Sequence, residues 1–148
     1  LLNKIYPEDV AKSWEVFAPL IAKSIPPALG GNVTTMTSIL EAIMVETLDC
    51  WVLLGRNSDN QNMSAFATTH IVEDELTNEK SLLIYTLTAM PKAIITMEDW
   101  SDALKTIRTY AHSKGCSYIS AFSDIPNVVS LAKKAGANIK TTFIRLEV

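Results

Sequence analysis

The chain has 148 residues, with 13 Lys and Arg against 16 Asp and Glu, and a formal net charge of −3. That length carries one domain with a sizeable core and falls short of what two usually need. A mildly acidic chain without a Lys/Arg run is not expected to bind nucleic acid through its phosphates.

Pro7-Glu8-Asp9 reads as a helix start, with proline in the first turn and acids at the positive end of the dipole. Val10, Trp14, Phe17 and Ile21 then recur at helical spacing as one apolar stripe, up to Pro26-Pro27 and Gly30-Gly31. A second helix is expected from Thr35 or Thr37, burying Ile39, Leu40, Ile43 and Met44, with Leu48 near its end. CWVLLGR (50–56) and MSAFATTHIV (63–72) read as a hairpin around the turn NSDNQN. SLLIYTLTA (81–89) is a third, more continuously apolar strand, expected at the centre of the sheet. Thr96-x-x-Asp99 has the spacing of a capping box and opens a helix burying Trp100, Leu104, Ile107 and Ala111, with Gly115 at its C′ position. SYISAF (117–122) is a strand, Pro126 to Lys134 a short helix stopped by Gly136, and NIKTTFIRLEV a closing strand. The order ααβββαβαβ describes a single α+β domain over residues 1–148, with strands 81–89 and 117–122 parallel neighbours across a helical crossover.

Two cysteines, Cys50 and Cys116, do not make a disulfide framework and read as free thiols of a reducing compartment. His112 with Cys116 lacks the further ligands of a metal site, and no metal is expected. The longest apolar stretch, SILEAIMVETLDCWVLLG, is broken by Glu41, Glu46 and Asp49, so no membrane contact is expected. No signal-peptide pattern opens the sequence; the sequons at Asn32 and Asn62 read as chance, and secretion is not expected. Lys133, Lys134, Lys140 and Arg145 read as a solvated face.

The element order, the helix–Gly–Cys–strand run TIRTYAHSKGCSYISAF and the segment KKAGA resemble the GNAT family, the acetyl-CoA-dependent N-acetyltransferases. The likeness covers essentially the whole chain and is nearest to the short GNAT-like proteins of tailed phages, which include particle components as well as presumed enzymes. It implies a twisted mixed sheet, flanked by helices and split into a V-shaped cleft between strands 81–89 and 117–122. The cofactor's pantetheine arm would pair with the backbone of the first of these. Leu87, Thr88 and Ala89, with Lys92 and Thr96 beyond them, are the implied acetyl-CoA contacts.

The residues depart from that pattern where the phosphates would sit. The family's loop has the form Q/R-x-x-G-x-G/A, whereas this stretch is Met90-Pro91-Lys92-Ala93-Ile94-Ile95-Thr96. Pro91 has no N–H to donate, no glycine lies between Gly55 and Gly115, and Glu98 and Asp99 put two carboxylates in the first helical turn. Counting back from Gly136, the implied acid Tyr is replaced by Ala132 and the family's Asn by Ile125. The strand SLLIYTLTA carries no acidic base. His70 on the meander is the strongest remaining base candidate and is expected to face the cleft floor; Tyr85 and Tyr118 are candidate acids.

Two functions follow from the resemblance. In the favoured one the domain is degenerate in catalysis and serves as a binding or structural component of a phage particle, with particle proteins or further copies of itself as partners. In the alternative it is an active acyl-CoA-dependent N-acetyltransferase. The corresponding locations are a virion or the host cytoplasm. Trp14, Trp51 and Trp100 read as core; if a surface binds a partner, Val16, Leu20 and Met36 are its expected anchors.

Overall fold

A computed structural model describes residues 1–25, 33–55, 62–140 and 146. In chain order the elements are β1 (Leu2–Ile5), α1 (Pro7–Lys12), α2 (Trp14–Ser24), α3 (Val33–Met44), β2 (Leu48–Leu54), β3 (Met63–Glu73), β4 (Lys80–Ala89), α4 (Met97–Ser113), β5 (Tyr118–Ala121) and α5 (Pro126–Lys134). The strands form one mixed sheet in the order β1-β2-β3-β4-β5. The first three pairings are antiparallel and β4–β5 is parallel, as the α4 crossover requires.

Alternation along the strands feeds two cores. On one face Val10, Ile21, Ile39 and Ile43 of α1–α3 pack on Leu48, Cys50 and Phe66. On the other, Trp100, Ala103, Ile107 and Ala111 of α4 cover Trp51, Leu53, Ala65, Ala67 and Leu82. Val128 and Leu131 of α5 extend that second layer. Polar groups inside the sheet are paired: the Thr68 and Thr86 hydroxyls lie 2.7 Å apart, and Trp51 Nε1 donates to Thr69 Oγ1 at 2.9 Å. Burying such groups unpaired would cost about 1–3 kcal/mol each.

Several sequence expectations need correction. The strand β1 is absent from them, because four residues at a sheet edge are too few to show a period against the helix signal that follows. The first helix is two helices meeting at Ser13, although Val10 and Ile21 do share one buried stripe and Trp14 and Phe17 pack against it. Met44 is 45% exposed, and Leu48 belongs to β2 rather than to the second helix. The middle of the five described strands is β3; β4 is interior but next to the parallel edge. Trp51 and Trp100 are buried and Trp14 is half-buried against the core. Of the expected surface anchors, Val16 is exposed, whereas Leu20 and Met36 are partly buried and packed inward. The Pro26-Pro27 and Gly30-Gly31 loop, the hairpin turn from 56 to 61 and residues 141–145, 147 and 148 of the closing strand, Arg145 among them, lie outside the described residues, and residues 138–140 are not in a strand.

Among the described residues no helix is long and apolar enough to cross a membrane.

Candidate functional site

Between β4 and β5 only Ser81–Ile84 and Tyr118–Ala121 lie opposite each other. From Tyr85 to Ala89, β4 runs on against β3 alone among the described residues. At the fork β4 carries an extra residue: Thr68 is opposite Thr86 and Thr69 opposite Ile84, which leaves Tyr85 as a bulge. A bulge bends and twists its strand, and here it sits where the two strands part.

The direction of the free backbone groups follows from one hydrogen bond. Met90 N donates to Ser64 O at 2.8 Å, so Met90 is turned toward β3. Groups alternate along a strand; Thr88 and Thr86 therefore also face β3, and the N–H and C=O of Leu87 and Ala89 face the cleft.

Beyond Ala89 the chain turns sharply. Ala93 N donates to Met90 O at 3.1 Å, and Lys92 has φ +64°. Proline at the second position and a positive φ at the third make this a type II turn, in which the third residue is normally glycine. A lysine there costs about 1–2 kcal/mol. Lys92→Gly should therefore stabilise the fold despite glycine's greater unfolded freedom, raising Tm by about 2 °C. Lys92→Ala, which removes the charge and keeps the strain, should not raise it. Equal Tm values for the two variants in thermal unfolding would contradict this account.

The helix that follows is closed at its N-terminus by its own side chains. Thr96 Oγ1 accepts from Asp99 N at 3.1 Å, and Asp99 Oδ2 accepts from Thr96 N at 3.0 Å and from Thr96 Oγ1 at 2.7 Å. This is the capping box expected from the sequence, and Asp99 is 7% exposed within it. Free N–H groups and the dipole make a helix start attractive to anions; here a carboxylate of the chain itself takes that place. Glu98 stands beside it in the first turn. The space in front of the turn and helix start is a cleft of about 630 Å³, with Gly55, Ser64, Pro91, Lys92 and Glu98 in its walls.

The candidate proton-transfer residues are not gathered at one point. Tyr85 is at the fork, half-buried against the α1–α3 core, and burial raises its pKa. Tyr118 is 50% exposed and lies opposite Ser81 at the closed end of the fork. It is about 13 Å along the strands from Tyr85. His70 is opposite Leu83 on one side and Leu48 on the other, away from the splayed segment. Its Nδ1 lies 2.7 Å from Thr47 O; a carbonyl only accepts, so Nδ1 carries the proton. Ala132 sits on α5 and offers only a methyl group where the resemblance implies an acid. Leu87 packs against the α4 core, and the Thr88 hydroxyl donates to Leu20 O at 3.2 Å.

One polar cluster was not visible in the sequence. Asp49 of β2 takes Lys4 Nζ of β1 at 2.7 Å and a hydrogen bond from the Tyr110 hydroxyl of α4. Lys4 and Lys114 ammonium groups each lie 5.5 Å from the Tyr110 ring centre, and Trp51 meets that ring edge-on at 5.0 Å. Residues so far apart in the chain carry no shared motif; the β1–β2 pairing and the packing of α4 on the sheet bring them together. The cluster ties β1 to the α4 layer at the end of the sheet away from the cleft.

Comparison with known proteins places this architecture. No family model matches the sequence, and no curated protein matches it. The fold does match solved structures along its whole length. One is a ribosomal-protein-alanine N-acetyltransferase from Brucella melitensis biovar Abortus 2308, with TM-score 0.64, 10% identity, and coverage of 100% of this chain and 99% of that one. Another is AAC(6')-Iy in complex with a bisubstrate analogue, CoA-S-monomethyl-acetylneamine, with TM-score 0.67, 12% identity, and coverage of 100% and 97%. A third is glucosamine-6-phosphate N-acetyltransferase from Arabidopsis thaliana, with TM-score 0.65, 15% identity, and coverage of 99% and 97%. A mixed twisted sheet flanked by helices, with five strands among the described residues and a split between β4 and β5, fits the GNAT fold, and this chain has it. At such identities the likeness is one of fold, and function has to be argued from the site.

Proposed function

We propose that this chain is a GNAT-fold domain that has given up acetyl transfer and serves as a binding or structural component, in the setting of a virus particle. The observation that carries the reading is the start of α4. Where the cofactor's diphosphate should be held, the Thr96 N–H is taken by the Asp99 carboxylate and the Asp99 N–H by the Thr96 hydroxyl, with Glu98 adjoining them. The cleft therefore fits acetyl-CoA unevenly. Leu87 and Ala89 present the backbone that a pantetheine arm would use, but the diphosphate would meet Pro91, which cannot donate, and the carboxylates of Glu98 and Asp99, with Lys92 the cation among the described residues of that wall. The chemistry is equally thin: β4 carries no acid and Ala132 replaces the expected Tyr. The particle setting rests on the sequence likeness to phage proteins.

One observation favours the second reading, an active N-acetyltransferase. The fork, the bulge at Tyr85 and the outward backbone of Leu87 and Ala89 are all intact. The two readings part in a thiol-release assay with acetyl-CoA and a panel of primary amines, including an N-terminal Ala peptide, an amino sugar and an aminoglycoside. No release above the protein-free rate is expected. Turnover at about 1 s⁻¹ or faster, within the ordinary enzyme range, would establish the enzyme instead.

A further inference from the structure

We infer that the groove between α4, β5 and α5 binds a medium-chain fatty carboxylate, its alkyl chain lying toward β4 and its head group at Arg108. No residue that carries this inference belongs to the capped start of α4, so it goes beyond the reading of the diphosphate site.

Space comes first. No residue of α5 is fully buried, and the gap between that helix, α4 and β5 is a cleft of about 740 Å³. Small-ligand sites typically enclose about 300–1,000 Å³. Ile84, Leu104, Ile119, Val128 and Leu131 give this one apolar walls. Ile84, Leu104, Val128 and Leu131, all half-buried, also line a smaller chamber of about 80 Å³ under α4, together with Trp100, Ala103 and Ile107. The chamber's described walls carry no charged or amide side chain, and their one hydroxyl, on Thr69, already accepts from Trp51 Nε1. Such a space suits hydrocarbon. An apolar cavity of about 150 Å³ takes a benzene ring, so this one has room for about three or four carbons.

Charge then selects the head group. Leu104, Arg108 and His112 are four residues apart along α4 and share one face, so the groove runs from an apolar end to a basic one. Arg108 and His112 both line it, and none of its described lining residues is an acid. No ion pair to either is present among the described residues. The guanidinium fork matches a carboxylate with two parallel hydrogen bonds, and His112 adds a ring N–H in either tautomer. From Trp100 to Arg108 is about 12 Å of helix axis, the length of a carboxylate with about eight to ten carbons. An alkyl amine would set its charge against Arg108, and an alcohol would leave that charge unused.

The experiment titrates the full chain with octanoate, hexanoate, octylamine and octanol, following the methyl NMR signals of Leu104, Val128 and Leu131. Octanoate is expected to bind at least tenfold more tightly than octylamine. Hexanoate, two methylenes shorter, should bind about fifteenfold more weakly than octanoate. Arg108 is exposed, so Arg108→Gln leaves the core alone; it should weaken octanoate about tenfold and leave octanol unchanged. Equal affinity for octanoate and octylamine, or an equal loss for octanoate and octanol in the variant, would overturn the inference. Shifts confined to residues outside the groove, or no saturation by octanoate below about 10 mM, would do the same. None of these results touches the loss of acetyl transfer, which the thiol-release assay decides by itself.

Discussion

Acetyl-CoA is expected to bind this domain at high micromolar concentration or more weakly. The reason is electrostatic and local. One carboxylate about 6 Å from a phosphate charge, at an effective dielectric near 20, repels it by roughly 3 kcal/mol. Salt reduces that by about half, which still leaves on the order of tenfold in Kd. Glu98→Gln should therefore tighten binding about tenfold at physiological salt and by more at low salt. Adding Asp99→Asn should tighten it further, because an amide oxygen can still accept from Thr96 N–H and the helix cap survives. Asp99→Ala is the wrong test, since losing the cap costs about 1 kcal/mol of stability. Calorimetry showing wild-type binding near 1 μM, or no gain in the double variant, would refute the account.

The second large effect is alkaline loss of stability. Burial, followed by the neighbouring Asp49 charge, pushes the Cys50 thiol from 9.0 up to about 12. The folded chain therefore keeps a proton that the unfolded chain releases near pH 9. Stability from this group is complete below pH 9 and drains away between pH 9 and 12, at about 1.4 kcal/mol per pH unit. By pH 11 the loss is on the order of 3 kcal/mol, a large part of the 5–15 kcal/mol typical of a domain. Tyr110 acts in the same direction: burial and its hydrogen bond to Asp49 raise its pKa, so it adds to the slope above pH 10. Urea unfolding under reducing conditions should show the midpoint falling steeply above pH 9. Cys50→Ala should be somewhat less stable at pH 8, from the small cavity it leaves. Its pH profile should be flatter, crossing the wild-type curve near pH 10. Parallel profiles for the two proteins would show that Cys50 is not the source.

A surface role for the first helices is narrower than the sequence suggested. Leu20 and Met36 are packed on the Val10–Phe66 core, so charging them would unfold the domain before it tested any interface. Val16, 57% exposed, is the one anchor of that set whose replacement by Asp leaves the core alone.

Much of the scaffold was legible in the chain itself, because its signals are local. The 3.6-residue period at Trp100, Ile107 and Ala111 reports the face that α4 buries, although Ala103 is buried there and the expected Leu104 is only partly so. The Thr96–Asp99 spacing fixes where that helix starts, and a positive φ at Gly115 and Gly136 marks where α4 and α5 stop. A helix between two strands forces their parallel pairing, so the order of elements carried the fold class as well. The missing glycines and the two acids in the first turn of α4 were likewise plain in the sequence. What remained for the tertiary structure were facts about pairs of distant residues. Edge strand β1 becomes visible only when Leu2–Ile5 lie against Cys50–Leu53. The bulge at Tyr85 is a property of the β3–β4 register and not of either strand alone. Register also sends His70 to Thr47, away from the fork, and with the packing of α4 joins Lys4, Asp49 and Tyr110 into one cluster. Local sequence sets which conformations are cheap; which side chains meet is decided by long-range packing, and the site is made of such meetings.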